Sequence, residues 1–330
     1  MTFTRGNPDV PAPPVDPEVA AAFAVQTAGG VSPITAADIA AKREEDEAGA
    51  AITVARIEQL GLIREDLEVR SFDGEPLVLS ILHRPDRNLT SPLIYFIHGG
   101  GMMMGNRWSG FDAYLEWIER YNAVVATIEY RRAPEFSYPT PQEDCYAGLV
   151  HLAANAERLG LNISTGIIAG ISAGGGLAAA ATLIARDRGG PILAGQFLLA
   201  PMLDDRGSSH STLQFKTGLW NAEENDLAWR SLLGDLYGSD HVPAYAAPAR
   251  ATDLGGLPPA FLEVGSAEVF RDEVVGYATG IWRAGGQADL HVWSGGFHGF
   301  ITFEHTVLAQ GAAHSQRNWL DRTLGFSGRP

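Results

Sequence analysis

Two short glycine-rich motifs hold side chains and amides that suit acyl transfer. Gly170-Ile171-Ser172-Ala173-Gly174 has the form G-x-S-x-G. The run before it, GIIAGIS, reads as a short apolar strand, and AGGGLAAAATLIARDR after it reads as a helix. A serine on a tight strand-to-helix turn is strained and exposes its hydroxyl. It also lies beside a helix N-terminus, where developing negative charge is favoured. Ser172 is therefore the candidate nucleophile, against the alternative of a capping serine in a glycine turn. The second motif, His98-Gly99-Gly100-Gly101, directly follows the apolar run LIYFI. Attack on a carbonyl needs N–H groups converging on the new oxyanion. Gly100, Gly101 and Ala173 are the expected donors, and His98 is expected to brace the loop. A phosphate cradle is disfavoured, because no P-loop lysine follows and no G-x-G-x-x-G is present.

A base and an acid complete such chemistry. Glu268 and His298 each lie in a loop just past one of the last two candidate strands, so both open on the edge that carries Ser172. His298 is flanked by Gly295, Gly296 and Gly299. Glu268 competes with Asp272 and Glu273 for the acid and is placed first; Asp272, one helical turn further on, reads as a helix N-terminal charge or a loop brace. Nucleophile, acid and base then follow in that chain order. Met102, Met103, Met104 and Trp108 after the glycine turn, with Phe215, Trp220 and Trp229 further on, are candidates for the substrate pocket; packing in the core is the competing reading for each.

The elements that must position these residues alternate. Candidate strands are Leu67–Phe72, Leu77–Leu82, Leu93–Ile97, Ala123–Tyr130, Gly166–Ile171, Leu193–Leu199, Ala260–Val264 and Ala288–Trp293, with Asp73-Gly74 as a hairpin turn between the first two. Several are continuously apolar, as strands buried on both faces are. Candidate helices are Phe111–Arg120, Gln142–Arg158, Ala173–Arg188, Arg271–Ala284 and Thr302–Leu320. This is an α/β layered sheet with helices on both faces. Residues 1–20 read as an extended arm, and residues 1–65 together as a helical N-terminal module. Residues 204–250 break the rhythm. They are rich in Trp and Tyr, and Asn221 with Glu224 reads as a capping box for a helix through Leu233. A helical insertion here would lie above the strand ends, where open sheets bind ligands. The expected divisions are 1–65, 66–203, 204–250 and 251–330.

Composition narrows the function classes. The 330 residues are 45% hydrophobic and 19% charged, which suits a globular chain. Lys and Arg number 24 against 39 Asp and Glu, a net charge of −15. Such a chain without a basic run is a poor ligand for nucleic acid. The single cysteine, Cys145, allows no internal disulfide and no cysteine-rich metal site. His151, His241, His291, His305 and His314 show no metal-ligand spacing. No metal or cofactor is expected. The N-terminal residues lack an apolar signal core and no stretch approaches a membrane span, so a cytoplasmic location and no membrane insertion are expected.

HGGG at 98–101, EYRRAPE at 129–135, QED at 142–144, GISAGGG at 170–176, GSAEVFRDE at 265–273 and GGFHGF at 295–300 together resemble the hormone-sensitive-lipase-like branch of the α/β-hydrolases. The likeness spans about residues 65–320, with the motifs in the family's order. It implies an α/β-hydrolase fold, with a mostly parallel sheet of about eight strands and a helical cap. It also implies carboxylesterase activity on small, short-chain esters, a Ser–acid–His triad, no cofactor and, in some members, a homodimer through the sheet edge. By position Ser172 matches the nucleophile and His298 the base. Glu268 stands where most members have Asp, and Ile171 where the usual serine motif has Asp. Asp144 is implied to brace the loop at 130–135 through Arg131. An amidase or lactonase with the same triad, and a protein of this fold that only binds a small ligand, are the rival readings.

Overall fold

Apolar runs such as PLIYFI and VVATI form the centre of an eight-stranded sheet in the computed structural model, which describes residues 10–27, 33–88, 91–216 and 219–326. Helices α1 (Pro17–Gln26) and α2 (Ile39–Gln59) precede β1 (Ile63–Arg70) and β2 (Pro76–His83). Then come β3 (Pro92–Ile97), α3 (Asp112–Tyr121), β4 (Val124–Ile128), α4 (Thr140–Ala154), α5 (Ala156–Leu159), β5 (Asn162–Ile171) and α6 (Ala173–Asp187). The chain closes with β6 (Gly195–Leu199), α7 (His210–Gln214), α8 (Ala222–Leu233), β7 (Ala260–Gly265), α9 (Arg271–Arg283), β8 (Ala288–Trp293) and α10 (Val307–Thr323).

In space the strands run β1-β2-β4-β3-β5-β6-β7-β8. β2 is antiparallel to β1 and β4, while β4-β3-β5-β6-β7-β8 are parallel. The parallel block puts the C-terminal ends of β3, β5, β7 and β8 on one edge, so residues 98–101, Ser172, Glu268 and His298 leave the sheet on the same side. Neighbouring residues of each strand alternate between two apolar clusters. Tyr95, Ile97, Ile168, Leu198 and Leu262 pack with α4, α6 and α9 on one face. Ile94, Phe96, Ile167, Phe197 and Phe261 pack with α3 and α10 on the other. Burial on both faces is why these strands lack a polar alternation.

Several boundaries differ from the sequence reading for identifiable reasons. The extended arm expected over residues 1–20 ends in helix α1, which Asp16 caps by accepting from the amides of Glu18 and Val19, with Pro17 in the first turn; residues 1–9 of that arm lie outside the described residues. β1 starts at Ile63, so the boundary drawn at residue 65 falls inside a strand. Its text, IREDLEVR, is that of an edge strand with one fully buried residue, Val69, and charge hides its period. The helix expected over Gln142–Arg158 breaks at Asn155 into α4 and α5. The last helix begins at Val307, where the Thr306 side chain accepts from the Ala309 amide, and not at Thr302, which closes a 3-10 turn. Asn221 and Glu224 do cap α8 reciprocally. Together α2 and α8 cover the edge as a helical cap. Among the described residues no helix is long and apolar enough to cross a membrane.

Candidate active site

Ser172 sits between β5 and α6 at φ +57° and ψ −124°, a conformation that side chains rarely adopt. Two glycines make the turn possible. A Cβ on Gly170 would lie 2.2 Å from the Gly174 carbonyl oxygen, and one on Gly174 would lie 2.1 Å from that of Ile97. The turn is pinned by the Ser172 amide, which donates to the Leu199 carbonyl at 2.8 Å, and by the Met202 amide, which donates to the Ser172 carbonyl at 3.0 Å. These bonds offset the local strain and aim the hydroxyl away from the sheet.

The hydroxyl meets the two later loops. Ser172 Oγ lies 3.1 Å from His298 Nε2, and His298 Nδ1 lies 2.8 Å from Glu268 Oε2. With the proton on Nδ1, the imidazole donates to Glu268 and accepts from Ser172. The Glu268 side chain is almost fully buried, and that of His298 is 12% exposed. Phe270 sets its ring edge-on to the imidazole at 5.1 Å, which limits the ring's rotation. Asp272 lies elsewhere. It accepts from the Ser211 amide at 2.7 Å and pairs with Arg271 at 2.8 Å, so it ties α7 to the start of α9. Burial alone would raise its pKa, but Arg271 and the Ser211 amide outweigh burial and hold it below the usual range.

On the other side of Ser172, Gly100 and Gly101 adopt φ of +102° and +62°. The Gly100 carbonyl accepts from the amides of Met103 and Met104, which folds the turn back on itself. Among the described residues the Gly100 and Gly101 amides have no hydrogen-bond acceptor, and Ala173 is the first residue of α6, whose amide is free by helix geometry. His98 is fully buried and stacks on Tyr130 with ring centroids 4.2 Å apart. Its Nδ1 is 2.8 Å from the Gly99 carbonyl, and burial lowers its pKa to about 3, so it stays neutral. Asp144, also buried, accepts from Ser71 Oγ, from the Arg131 amide at 3.0 Å and from the Arg131 guanidinium at 2.7 and 2.9 Å. Arg131 reaches Asp73 as well, so one acid holds the loop after β4 to the β1–β2 hairpin.

The cleft above Ser172 has a volume of about 440 Å³. Trp220 lines it, but Met102, Met103, Trp108 and Phe215 do not. The reversal at Gly100 turns Met102 and Met103 into the core cluster beneath, and Phe215 packs into the same cluster. Trp108 points to the opposite face, where Arg64 and Arg107 lie over its ring at 5.0 and 5.1 Å. Met104, also expected there, lines the cleft as does Ile171, while Trp229 packs in the core.

A family model described as alpha/beta hydrolase fold matches residues 94–302, which hold the glycine turn, Ser172, Glu268 and His298. The chain belongs to the α/β-hydrolase family. It is 34% identical over 232 residues to carboxylesterase NlhH of Mycobacterium tuberculosis, covering 67% of this chain and 70% of that one. It is 32% identical over 231 residues to an acetyl-hydrolase of Streptomyces hygroscopicus, covering 69% and 74%. The solved structure of a bacterial heroin esterase superposes with a TM-score of 0.84 at 34% identity, over 94% of this chain and 98% of that one. This α/β-hydrolase is a carboxylic ester hydrolase of the serine type.

Three residues at the mouth of the esterase cleft were not legible in the sequence. Lys42 and Asp46 of α2 and Glu224 of α8 all line it. Asp46 accepts from the Gly105 amide at 2.6 Å, and Arg43 donates to the carbonyls of Met103 and Ala133 at 2.8 Å each, so α2 clamps the glycine turn. Glu224 is buried and accepts from the Ile34 amide at 2.9 Å, which joins the two parts of the cap. In sequence the run KREEDE is part of the expected helical module, and nothing local says what it meets.

Proposed function

We propose that this esterase hydrolyses small esters of short-chain acids through an acyl intermediate on Ser172. His298 takes the hydroxyl proton as Oγ attacks the ester carbonyl, and Glu268 holds the imidazole in the tautomer that can accept it. The amides of Gly100, Gly101 and Ala173 donate to the oxyanion. His298 then protonates the leaving alcohol. Water enters, gives its proton to the same nitrogen and attacks the acyl carbon, which frees the acid and restores Ser172.

The ladder Ser172–His298–Glu268, at 3.1 and 2.8 Å with Ser172 and His298 facing one cleft, carries this reading. The preference for short acyl groups is supported by Trp220. A Cβ on Gly101 would lie 2.2 Å from the tip of its ring, so the indole fills the space beside the oxyanion turn. The acetyl-hydrolase named among the relatives points the same way.

A panel of p-nitrophenyl esters from acetate to laurate tests it, with Ser172→Ala as the control. kcat/KM is expected to peak at acyl chains of about four carbons or fewer, and Trp220→Ala is expected to raise the longer-chain rates about tenfold relative to acetate. A wild-type optimum at long chains, or a chain-length profile unmoved in the Trp220 variant, would reject the short-chain assignment.

A further inference from the structure

One buried acid beneath the site has no part in the reaction above. Glu263 lies on β7, in register with Leu199 of β6 and His291 of β8. It shares the sheet face of Phe261 and points towards α3 and α10. Glu263 is 2% exposed, and among the described residues both hydrogen-bond donors to its carboxylate are neutral: Trp293 Nε1 at 3.0 Å and Gln316 Nε2 at 2.9 Å. Among the described residues no arginine or lysine is bonded to it. An apolar residue would fill this layer at lower cost.

A small void separates Glu263 from the triad. Its volume is about 20 Å³, and its walls include Leu199, Ala200, Glu263, Glu268, His298 and Ile301. That is room for about one water molecule. The second carboxylate oxygen of Glu268, Oε1, is buried and has no hydrogen-bond partner among the described residues. A carboxylate that must stay ionised beside an imidazole needs donors on both oxygens. The void is thus walled by both acids, and one of them carries an unpartnered oxygen.

We propose that Glu263 is a positioning residue for the triad acid, acting on Glu268 Oε1 through a single water molecule held in the void between the two carboxyls. The inference rests on the triad reading above. The water donates to Glu268 Oε1 and to Glu263, so both acids and His298 form one electrostatic unit. When Glu263 is ionised, its negative charge favours the imidazolium form of His298. When Glu263 is protonated, the base becomes weaker. The other titratable groups facing Glu263 leave this coupling in place. Tyr114 on α3 has its hydroxyl pushed well above its ordinary pKa by burial, and burial lowers that of His291 on β8, so both are neutral near pH 7. α10 contributes the neutral Gln316. Glu263 itself is raised to about 7, first by burial and further by the charge of Glu268.

The test is the pH profile of kcat/KM on p-nitrophenyl acetate from pH 5 to 9, for the wild type, Glu263→Gln and Gln316→Leu. The wild-type acid limb is expected to be shallower than a one-proton curve, because ionisation of Glu263 over the same range changes the charge beside the base. Glu263→Gln is expected to give a one-proton limb displaced to lower pH by about half a unit. Gln316→Leu removes one donor from Glu263 and leaves the carboxyl in place. It is expected to move the second ionisation to higher pH, and it serves if the first variant does not fold. A purely structural Glu263 would lower the rate equally at every pH without moving the limb, and that result overturns the proposal. So does a high-resolution crystal structure with no water within hydrogen-bond reach of Glu268 Oε1. Stoichiometric labelling of Ser172 by an organophosphate separates the two failures. If Ser172 does not react, the triad reading falls; if it reacts and the profiles coincide, only the role of Glu263 falls.

Discussion

Glu268 and Asp272 are four residues apart, and replacing each by its amide separates the roles that their geometry gives them. Gln at position 268 keeps the volume of the side chain in a fully buried place. It changes what His298 Nδ1 meets at 2.8 Å from an acceptor that is always available to a neutral amide that can also present its NH₂. In that second orientation the imidazole proton moves to Nε2, and the ring no longer accepts from Ser172 at 3.1 Å. The imidazolium formed during attack also loses its counter-charge. Loss of both effects in a triad lowers turnover by about 10⁴, or about 5 kcal/mol of barrier. Asn at position 272 can still accept from the Ser211 amide and loses the ion pair with the partly exposed Arg271. Its turnover is expected to stay within about threefold of wild type, with about 1 kcal/mol lost from stability. The assay is kcat on p-nitrophenyl acetate with matched circular dichroism and melting temperature. If Asp272→Asn loses more turnover than Glu268→Gln, or if Glu268→Gln keeps a tenth of the wild-type rate, the assignment of the acid is wrong.

Ser172→Ala is expected to reduce ester hydrolysis to background while the melting temperature changes little, since among the described residues its hydroxyl bonds only to His298; wild-type rates in that variant would refute the nucleophile. Gly174→Ala places a Cβ 2.1 Å from the Ile97 carbonyl oxygen and 2.4 Å from that of His98, both backbone atoms that cannot step aside. It is expected to destabilise the fold by about 3 kcal/mol and to lower activity in the fraction that folds, checked by urea denaturation and active-site titration. Glu263 predicts a stability difference with a definite sign. Its pKa rises from 4.5 in the unfolded chain to about 7 in the fold, so the folded state holds the proton more tightly. The stability this contributes is complete below about pH 4.5 and is lost as pH rises through about 7, amounting to about 3 kcal/mol. The wild type is therefore expected to lose that much relative to Glu263→Gln between pH 4.5 and 8. Parallel denaturation curves for the two proteins would show that Glu263 ionises normally.

The alternation of strands and helices was legible in the sequence because period and apolar run length are local properties. The strand–serine–helix junction was legible for a similar reason: Gly170 and Gly174 record contacts that no Cβ can make, and that record survives in the text. The chain order Ser172, Glu268, His298 could be read as well, since each residue follows a recognisable strand. What lines the cleft could not. Met102, Met103 and Met104 are consecutive and alike, and the turn at Gly100 buries all three in the core while only Met104 also reaches the cleft. Trp108 and Phe215 likewise fill space that exists only once the sheet has two faces. The charged residues of α2 say nothing locally of what they meet, yet Arg43 and Asp46 hold the glycine turn from 60 and 59 positions away in the chain. Glu263 stands in an apolar strand with no local mark of its role. The sequence thus determined which residues can do chemistry and on which strand ends they ride, because turn sterics and hydrophobic period act between near neighbours. Only the tertiary structure decided which side chains surround the substrate and which acids share a void, because those contacts join segments that the chain keeps far apart.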